Sequence, residues 1–236
     1  MGSIFDLHVH TVRGSSDSSL TPEQLIEEAG RIGLDGVCLT EHGGGWDPAD
    51  LKKYFKGSGL TVIRALEVDT DMGHVLAFGL HRYVDGMLEI GELRKAVSRA
   101  GGFMVSAHPF RNMFNRPPYN VNLVFNGTDG FPKTPEEAAN HPLFQIVDDV
   151  EVANGSNTDR ENDFSLDVAD HLGLGGTAGS DVHSTQGLGK CVTIFDGDVK
   201  SEADLIEALK AKAFTPAQGL NLGRLQPFVN GNRNTG

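Results

Sequence analysis

The chain carries two cysteines in 236 residues, Cys38 and Cys191. They lie far apart and outside any C-x-x-C pair, which argues against a disulfide framework and against a thiolate zinc site. Cys38 falls in the apolar run Gly36-Val37-Cys38-Leu39-Thr40 and reads as core. Long apolar runs are missing too: none approaches the roughly 20 residues a membrane-spanning helix needs, and the N-terminus lacks the basic-then-apolar layout of a secretory signal. A cytoplasmic location is therefore expected. Basic runs are also lacking. With 20 Lys and Arg against 32 Asp and Glu, the net charge is −12, so a nucleic-acid backbone would be repelled and no stable nucleic-acid or membrane partner is expected. Bound cations can reverse such a field locally and draw an anionic substrate to an acidic protein.

What is present is enough for one large core: 39% hydrophobic and 22% charged residues. Strand-like and helix-like runs take turns. Ile4 to His10 alternates as a strand does. Thr21-Pro22-Glu23 then opens a helix with an N-cap and a proline at its first position, which Gly33 closes. Further strands are expected over Gly36 to Thr40, Thr61 to Leu66, His74 to Leu80, Phe103 to Ala107, Asp149 to Ala153 and Gly175 to Ala178. Helices are expected over Asp47 to Phe55, Ile90 to Ala100, Asp159 to His171 and Ser201 to Lys212. This alternation implies an α/β barrel or a helix-covered parallel sheet. One domain spans 1–220 in this reading, with a Pro-, Gly- and Asn-rich insertion or lid at about 112–142 and a flexible tail over 221–236.

The most informative pattern is where His, Asp and Glu fall. They recur at or just after the ends of the apolar strands: Asp6-Leu7-His8-Val9-His10-Thr11, Thr40-Glu41-His42, Leu66-Glu67, Gly73-His74, Ala107-His108-Pro109 and Gly179-Ser180-Asp181-Val182-His183. In α/β folds that edge is where active sites form. His8 and His10, two apart on a strand, project to one face and can share an ion; Asp181 and His183 repeat the spacing. Buried ionisable groups need partners, and cations supply them. His81, His141 and His171 fit structural or solvated roles, as do Glu23, Glu27 and Glu28 on one helix face.

In that order, these motifs resemble those of the PHP (polymerase and histidinol phosphatase) family. The likeness extends to Ser16-Asp17-Ser18, Gly33-Leu34-Asp35-Gly36 and Gly187-Leu188-Gly189. It implies a distorted (β/α)7 barrel holding two or three divalent ions. Carried over residue by residue, it gives one ion to His8, His10, Glu67 and Asp181. Glu67 bridges to a second ion held by His74 and His108, and a third falls to Asp17, His42 and His183. The role of His74 stays open between ligand, support for a ligand, and substrate contact. Glu41 stands where many members have Asp and is expected to orient a ligand.

Imidazole and carboxylate donors without thiolate suit zinc, manganese or iron. Two ions about 3.5–4 Å apart can activate a water for attack on phosphorus. The expected activity is hydrolysis of a small phosphomonoester or short phosphodiester, with Arg111 and Arg13 as candidates to clamp the phosphate. Two alternatives stand beside it: an amidohydrolase-like enzyme acting at carbon, opposed by the lack of an obvious carbamate lysine, and a non-catalytic PHP module, opposed by the full ligand set.

Overall fold

The computed structural model describes residues 2–127 and 130–230. Seven strands follow one another in chain order around a curved sheet: β1 (Ile4–Val9), β2 (Gly36–Glu41), β3 (Thr61–Thr70), β4 (Gly73–Phe78), β5 (Phe103–Ser106), β6 (Asp149–Asn154) and β7 (Thr177–Gly179). The chain leaving β7 returns to β1. Val9 bridges Val182 in parallel, and the Asp181 amide donates to the His8 carbonyl at 2.8 Å. The sheet thus closes into the distorted seven-stranded α/β barrel expected from the motifs.

The distortion has a local cause. Pairing is parallel for β1–β2, β2–β3, β5–β6 and β6–β7, but antiparallel for β3–β4 and β4–β5. β3 runs on to Thr70, turns at Asp71-Met72 with Gly73 at φ +95°, and returns at once as β4. A hairpin needs no crossover helix, whereas a parallel neighbour does. The barrel therefore lacks one helix and gains one reversed strand.

Helices α1 (Pro22–Ile32), α2 (Pro48–Phe55), α3 (Ile90–Arg99), α4 (Pro135–Ala139), α5 (Asp159–Leu172) and α6 (Glu202–Lys210) complete the layout. Their starts follow from sequence chemistry. Thr21 forms a reciprocal capping box with Gln24 and Pro22 occupies the first turn of α1, while Gly33 ends it at φ +80°; caps of this kind contribute about 1 kcal/mol. Thr158 and Glu161 repeat the box on α5.

Three strands go beyond the sequence reading. β8 (Cys191–Phe195), β9 (Phe214–Gln218) and β10 (Gln226–Pro227) extend the sheet antiparallel from the other side of β1. Short runs hide them, and Pro216 interrupts the strand signal in β9. β10 and the buried Phe228, whose amide donates to the Pro216 carbonyl at 2.8 Å, lie within the segment expected as a tail; residues 231–236 of that expectation lie outside the described residues.

Segment 112–142 is built around Asn122. Its amide nitrogen donates to the carbonyls of Pro109 and Arg111, and its oxygen accepts from the amides of Val124 and Phe125. The Phe125 ring stacks on Phe110 and anchors the segment to the barrel core. Residues 128 and 129 lie outside the described residues. Cys38 is core as expected, packed with Leu7, Ile63 and Ala65.

Candidate metal centre

At the strand ends the interior changes from apolar to ionisable. Asp6, His8 and His10 share the inner face of β1 and its extension, all fully buried. Asp6 accepts from the amides of Ser180 and Gly189, fastening the loops after β7 to β1, and burial pushes its carboxyl up to about 6. That stitch brings Asp181 to the two histidines. Its oxygen Oδ1 stands 3.5 Å from His8 Nε2 and 3.4 Å from His10 Nε2.

Glu67, buried on β3, is the centre of the arrangement. Oε2 lies 3.1 Å from both His8 Nε2 and His10 Nε2, and Oε1 lies 2.9 Å from both His74 Nδ1 and His108 Nε2. His42 Nε2 stands less close, 3.5 Å from Oε2. Each carboxylate oxygen thus faces its own pair of imidazoles. Among the described residues, three groups of side chains could each hold a metal ion: His8, His10, Glu67 and Asp181; Glu67, His74 and His108; and His10, His42 and His183. The first two coincide with the sets carried over from the motifs. In the third, His10 joins His42 and His183. Asp17 stands at the rim, 3.2 Å from His183 Nε2 and 3.7 Å from His42 Nε2.

The donor chemistry fits cations. His8 Nδ1 pairs with Glu151 Oε1 at 2.9 Å, and His10 Nδ1 pairs with Ser15 Oγ at 3.1 Å. Ser15 in turn gives its own proton to Glu41 at 2.7 Å. A serine already donating must accept from His10 Nδ1, so that ring's lone pair is on Nε2; a carboxylate at His8 Nδ1 imposes the same tautomer. Both lone pairs then point at a carboxylate oxygen, an arrangement that repels unless a proton or a cation lies between. His10 Nε2 is also buried without a hydrogen-bond partner, although Glu67 is only 3.1 Å away; proximity without alignment is not a hydrogen bond. Protons hold the cluster together otherwise. Burial opposes charge on Glu67, Asp181 and His8. Even so, the neighbouring imidazoles hold Glu67 and Asp181 well below the carboxylate range, and Asp181, Glu151 and Glu67 hold His8 well above the imidazole range. Metal ions take the place of such protons.

One supporting residue, Glu151, is missed by the sequence reading although the sequence holds a signal for it. Glu151 also accepts from the His108 amide and Asn154 Nδ2, both at 2.9 Å. Its signal was a glutamate in the middle of the buried strand Asp149-Val-Glu-Val-Ala-Asn154. Glu41 is surrounded by donors from Thr11, Ser15 and Trp46, in the orienting position expected for it. The two arginines part company. Arg111 donates to Asp181, Asn154 and Asn157, whereas Arg13 takes its guanidinium to the Tyr54 ring, 4.4 Å from its centre. His81 joins Arg64 to Glu202, His141 caps a turn and His171 sits in the last turn of α5.

Comparison with known proteins bears on the family and the fold. Residues 6–131 match the PHP domain model and residues 159–214 match the PHP-associated model. The protein MJ1587 of Methanocaldococcus jannaschii, itself uncharacterised, is 25% identical over 114 residues, covering 44% of this chain and 67% of that one. The error-prone DNA polymerase of Mycobacterium bovis is 46% identical over 39 residues, 16% of this chain and only 4% of the polymerase. Among solved structures, PsfC of Pseudomonas syringae superposes with a TM-score of 0.60 at 18% identity, covering 89% of this chain and 90% of its own. A Bifidobacterium adolescentis protein provisionally assigned as a metal-dependent phosphoesterase gives 0.57 at 18%, covering 89% and 96%. An amidohydrolase of Chromobacterium violaceum gives 0.54 at 16%, covering 76% and 87%. At such identities the structural likenesses establish the fold alone. The PHP model, however, matches more than half of the chain and begins at the Asp6-Leu-His-Val-His motif that builds the centre, so the chain belongs to the PHP domain family.

Proposed function

We propose that the protein is a metal-dependent phosphoesterase that hydrolyses a small phosphomonoester, or a short phosphodiester, using two or three divalent ions of zinc, manganese or iron. The observation that carries this reading is Glu67, each of whose carboxylate oxygens faces a separate pair of imidazoles. His8, His10 and Asp181 hold one ion with Glu67, and His74 and His108 hold the second. His42 and His183 hold the third, with His10 or Asp17 completing the set. Bound ions supply an electrophile for the phosphoryl oxygens and a water acidic enough to attack phosphorus near neutral pH.

The chain's own residues do the rest. Glu151 and the Ser15–Glu41 pair fix the histidine tautomers, and Arg111 keeps Asp181 ionised and in place. A protein of net charge −12 repels anions in general; a recessed cation cluster makes this one spot attractive to a phosphate. The provisional assignment of the Bifidobacterium protein supports the same chemistry. Hydrolysis at carbon is the second reading, favoured by the fold shared with the amidohydrolase. Among the described residues the ion pairs of Glu67 and Asp181 are with histidines and Arg111, not with a lysine that could carry a carbamate, which weighs against it. The full set of ligand residues likewise weighs against a non-catalytic module.

The test is phosphate release from a panel of phosphomonoesters and one generic diester by metal-loaded protein. Release from monoesters at rates well above the diester supports the reading. Release from neither, with hydrolysis of amide or lactone substrates, replaces it with the second.

A further inference from the structure

Beside the second group of ligands lies a cavity of about 220 Å³ that opens from His74 and His108 and is walled by Pro109, Val121, Leu123 and Val124. Its far wall comes from segment 112–142, pinned there by Asn122. Most polar side-chain atoms around it are already committed. Asn122 spends its donors on the carbonyls of Pro109 and Arg111 and its oxygen on two amides. Arg111 spends Nε and Nη2 on Asn157, Asn154 and Asp181, and Asn112 Oδ1 accepts from Asn115. Outside the histidines, and among the described residues, the lining side chains leave Arg111 Nη1 and Asn112 Nδ2 uncommitted, and both are donors. The apolar wall continues into solvent: Tyr119, Val121 and Leu123 are 75%, 59% and 47% exposed. An apolar surface left uncovered beside a reactive centre marks a place for a ligand.

From this lining we infer the subsite of the leaving group and the class of group it accepts: a flat, largely apolar ring bearing a hydrogen-bond acceptor, not a polyol. The inference rests on the phosphoesterase reading. The several hydroxyl groups of a sugar or glycerol moiety would find only the two uncommitted donors to accept from and no uncommitted side-chain acceptor for their own protons, so most of their hydrogen bonds to water would be lost without replacement. A ring buries the apolar wall and offers its acceptor to Arg111 Nη1 or Asn112 Nδ2. The ring could belong to an aryl ester or to a nucleobase.

The experiment compares kcat/KM for benzyl phosphate, its pyridin-3-ylmethyl analogue, whose ring nitrogen supplies the acceptor and which should do at least as well, glycerol 1-phosphate and glucose 6-phosphate, all esters of primary alcohols, so that intrinsic reactivity does not decide the order. A nucleoside 5′-monophosphate is run alongside. Benzyl phosphate should exceed both polyol esters by at least about tenfold. A nucleotide ranked above benzyl identifies a nucleobase as the ring, and one ranked below identifies an aryl group. Leu123→Ser and Val121→Ser, which remove apolar wall at exposed positions without adding a charge that would repel any phosphate ester, should each raise KM for benzyl phosphate about tenfold while changing glycerol 1-phosphate less than about twofold. Polyol esters cleaved as well as or better than benzyl phosphate would overturn the inference and leave the phosphoesterase reading intact. Should no ester be cleaved, that reading fails. Calorimetric binding of benzylphosphonate against methylphosphonate then judges the cavity alone, with equal affinity overturning it and tighter benzylphosphonate binding upholding it.

Discussion

Glu151 on β6 accepts the Nδ1 proton of His8 on β1 at 2.9 Å across the barrel, and neither side chain is reached by solvent. Its other oxygen is fully used, taking the amide of His108 and Nδ2 of Asn154. One carboxylate therefore sets the ring of one proposed ligand and the backbone of another.

Glu151→Gln should uncouple this support while keeping side-chain volume. A glutamine oxygen toward His8 leaves an amide nitrogen facing two donors, and the flipped amide loses the His8 contact instead. Metal affinity should fall about 10–100-fold, read by titration with a fluorescent competitor, with the far-ultraviolet circular dichroism spectrum unchanged. Wild-type affinity in the variant would show that Glu151 serves packing only.

Asp149 provides a pH test away from the proposed ligands. It accepts from the Gly176 and Val150 amides, its second oxygen is buried without a partner, and burial pushes its carboxyl up to about 6. In the unfolded chain the group titrates near 3.9. The folded state therefore holds a proton that the unfolded state releases. The stability this confers is fully present below about pH 4 and declines as pH rises through 6, by about 3 kcal/mol for a shift of this size. Asp149→Asn keeps the acceptor and cannot ionise. The melting temperature of the variant relative to wild type should rise between pH 4 and pH 7; a pH-independent difference would contradict the account.

Gly179 permits the approach of β7 to β1. A Cβ there would lie 2.4 Å from His8 Cβ and 2.7 Å from His8 N. Gly179→Ala should cost about 1–3 kcal/mol as overpacking, seen as a melting temperature lowered by several degrees together with reduced metal content. Wild-type values for both would show that the strand yields more freely than the packing implies.

How far the sequence discloses this structure depends on the element. His8, His10, Glu67, His108 and Asp181 are legible because imidazoles and carboxylates ending apolar strands have few structural explanations. The caps of α1 are legible because Thr21, Pro22 and Gly33 each act locally. Strand pairing is not local. Nothing in Thr61–Thr70 and Gly73–Phe78 taken singly states that β4 runs back along β3, and β8 needs β1, and β9 needs β8, as a template before their short runs count as strands. Arg111 illustrates the limit at the site. Its place just after His108-Pro109 makes it a candidate, but only the fold reveals that it grips Asp181.

Glu67 and its imidazoles are proposed to form a metal centre that hydrolyses phosphate esters. This is tested most directly by metal analysis of desalted protein alongside phosphate release, for wild type, His8→Ala and Asp181→Ala. The wild type should carry about two or more equivalents of divalent metal, and its phosphate release should be abolished by chelation and restored by added metal. Both variants should be depleted of metal and inactive. Wild-type protein that binds no divalent ion under any condition, or variants that release phosphate as fast as wild type, would contradict it.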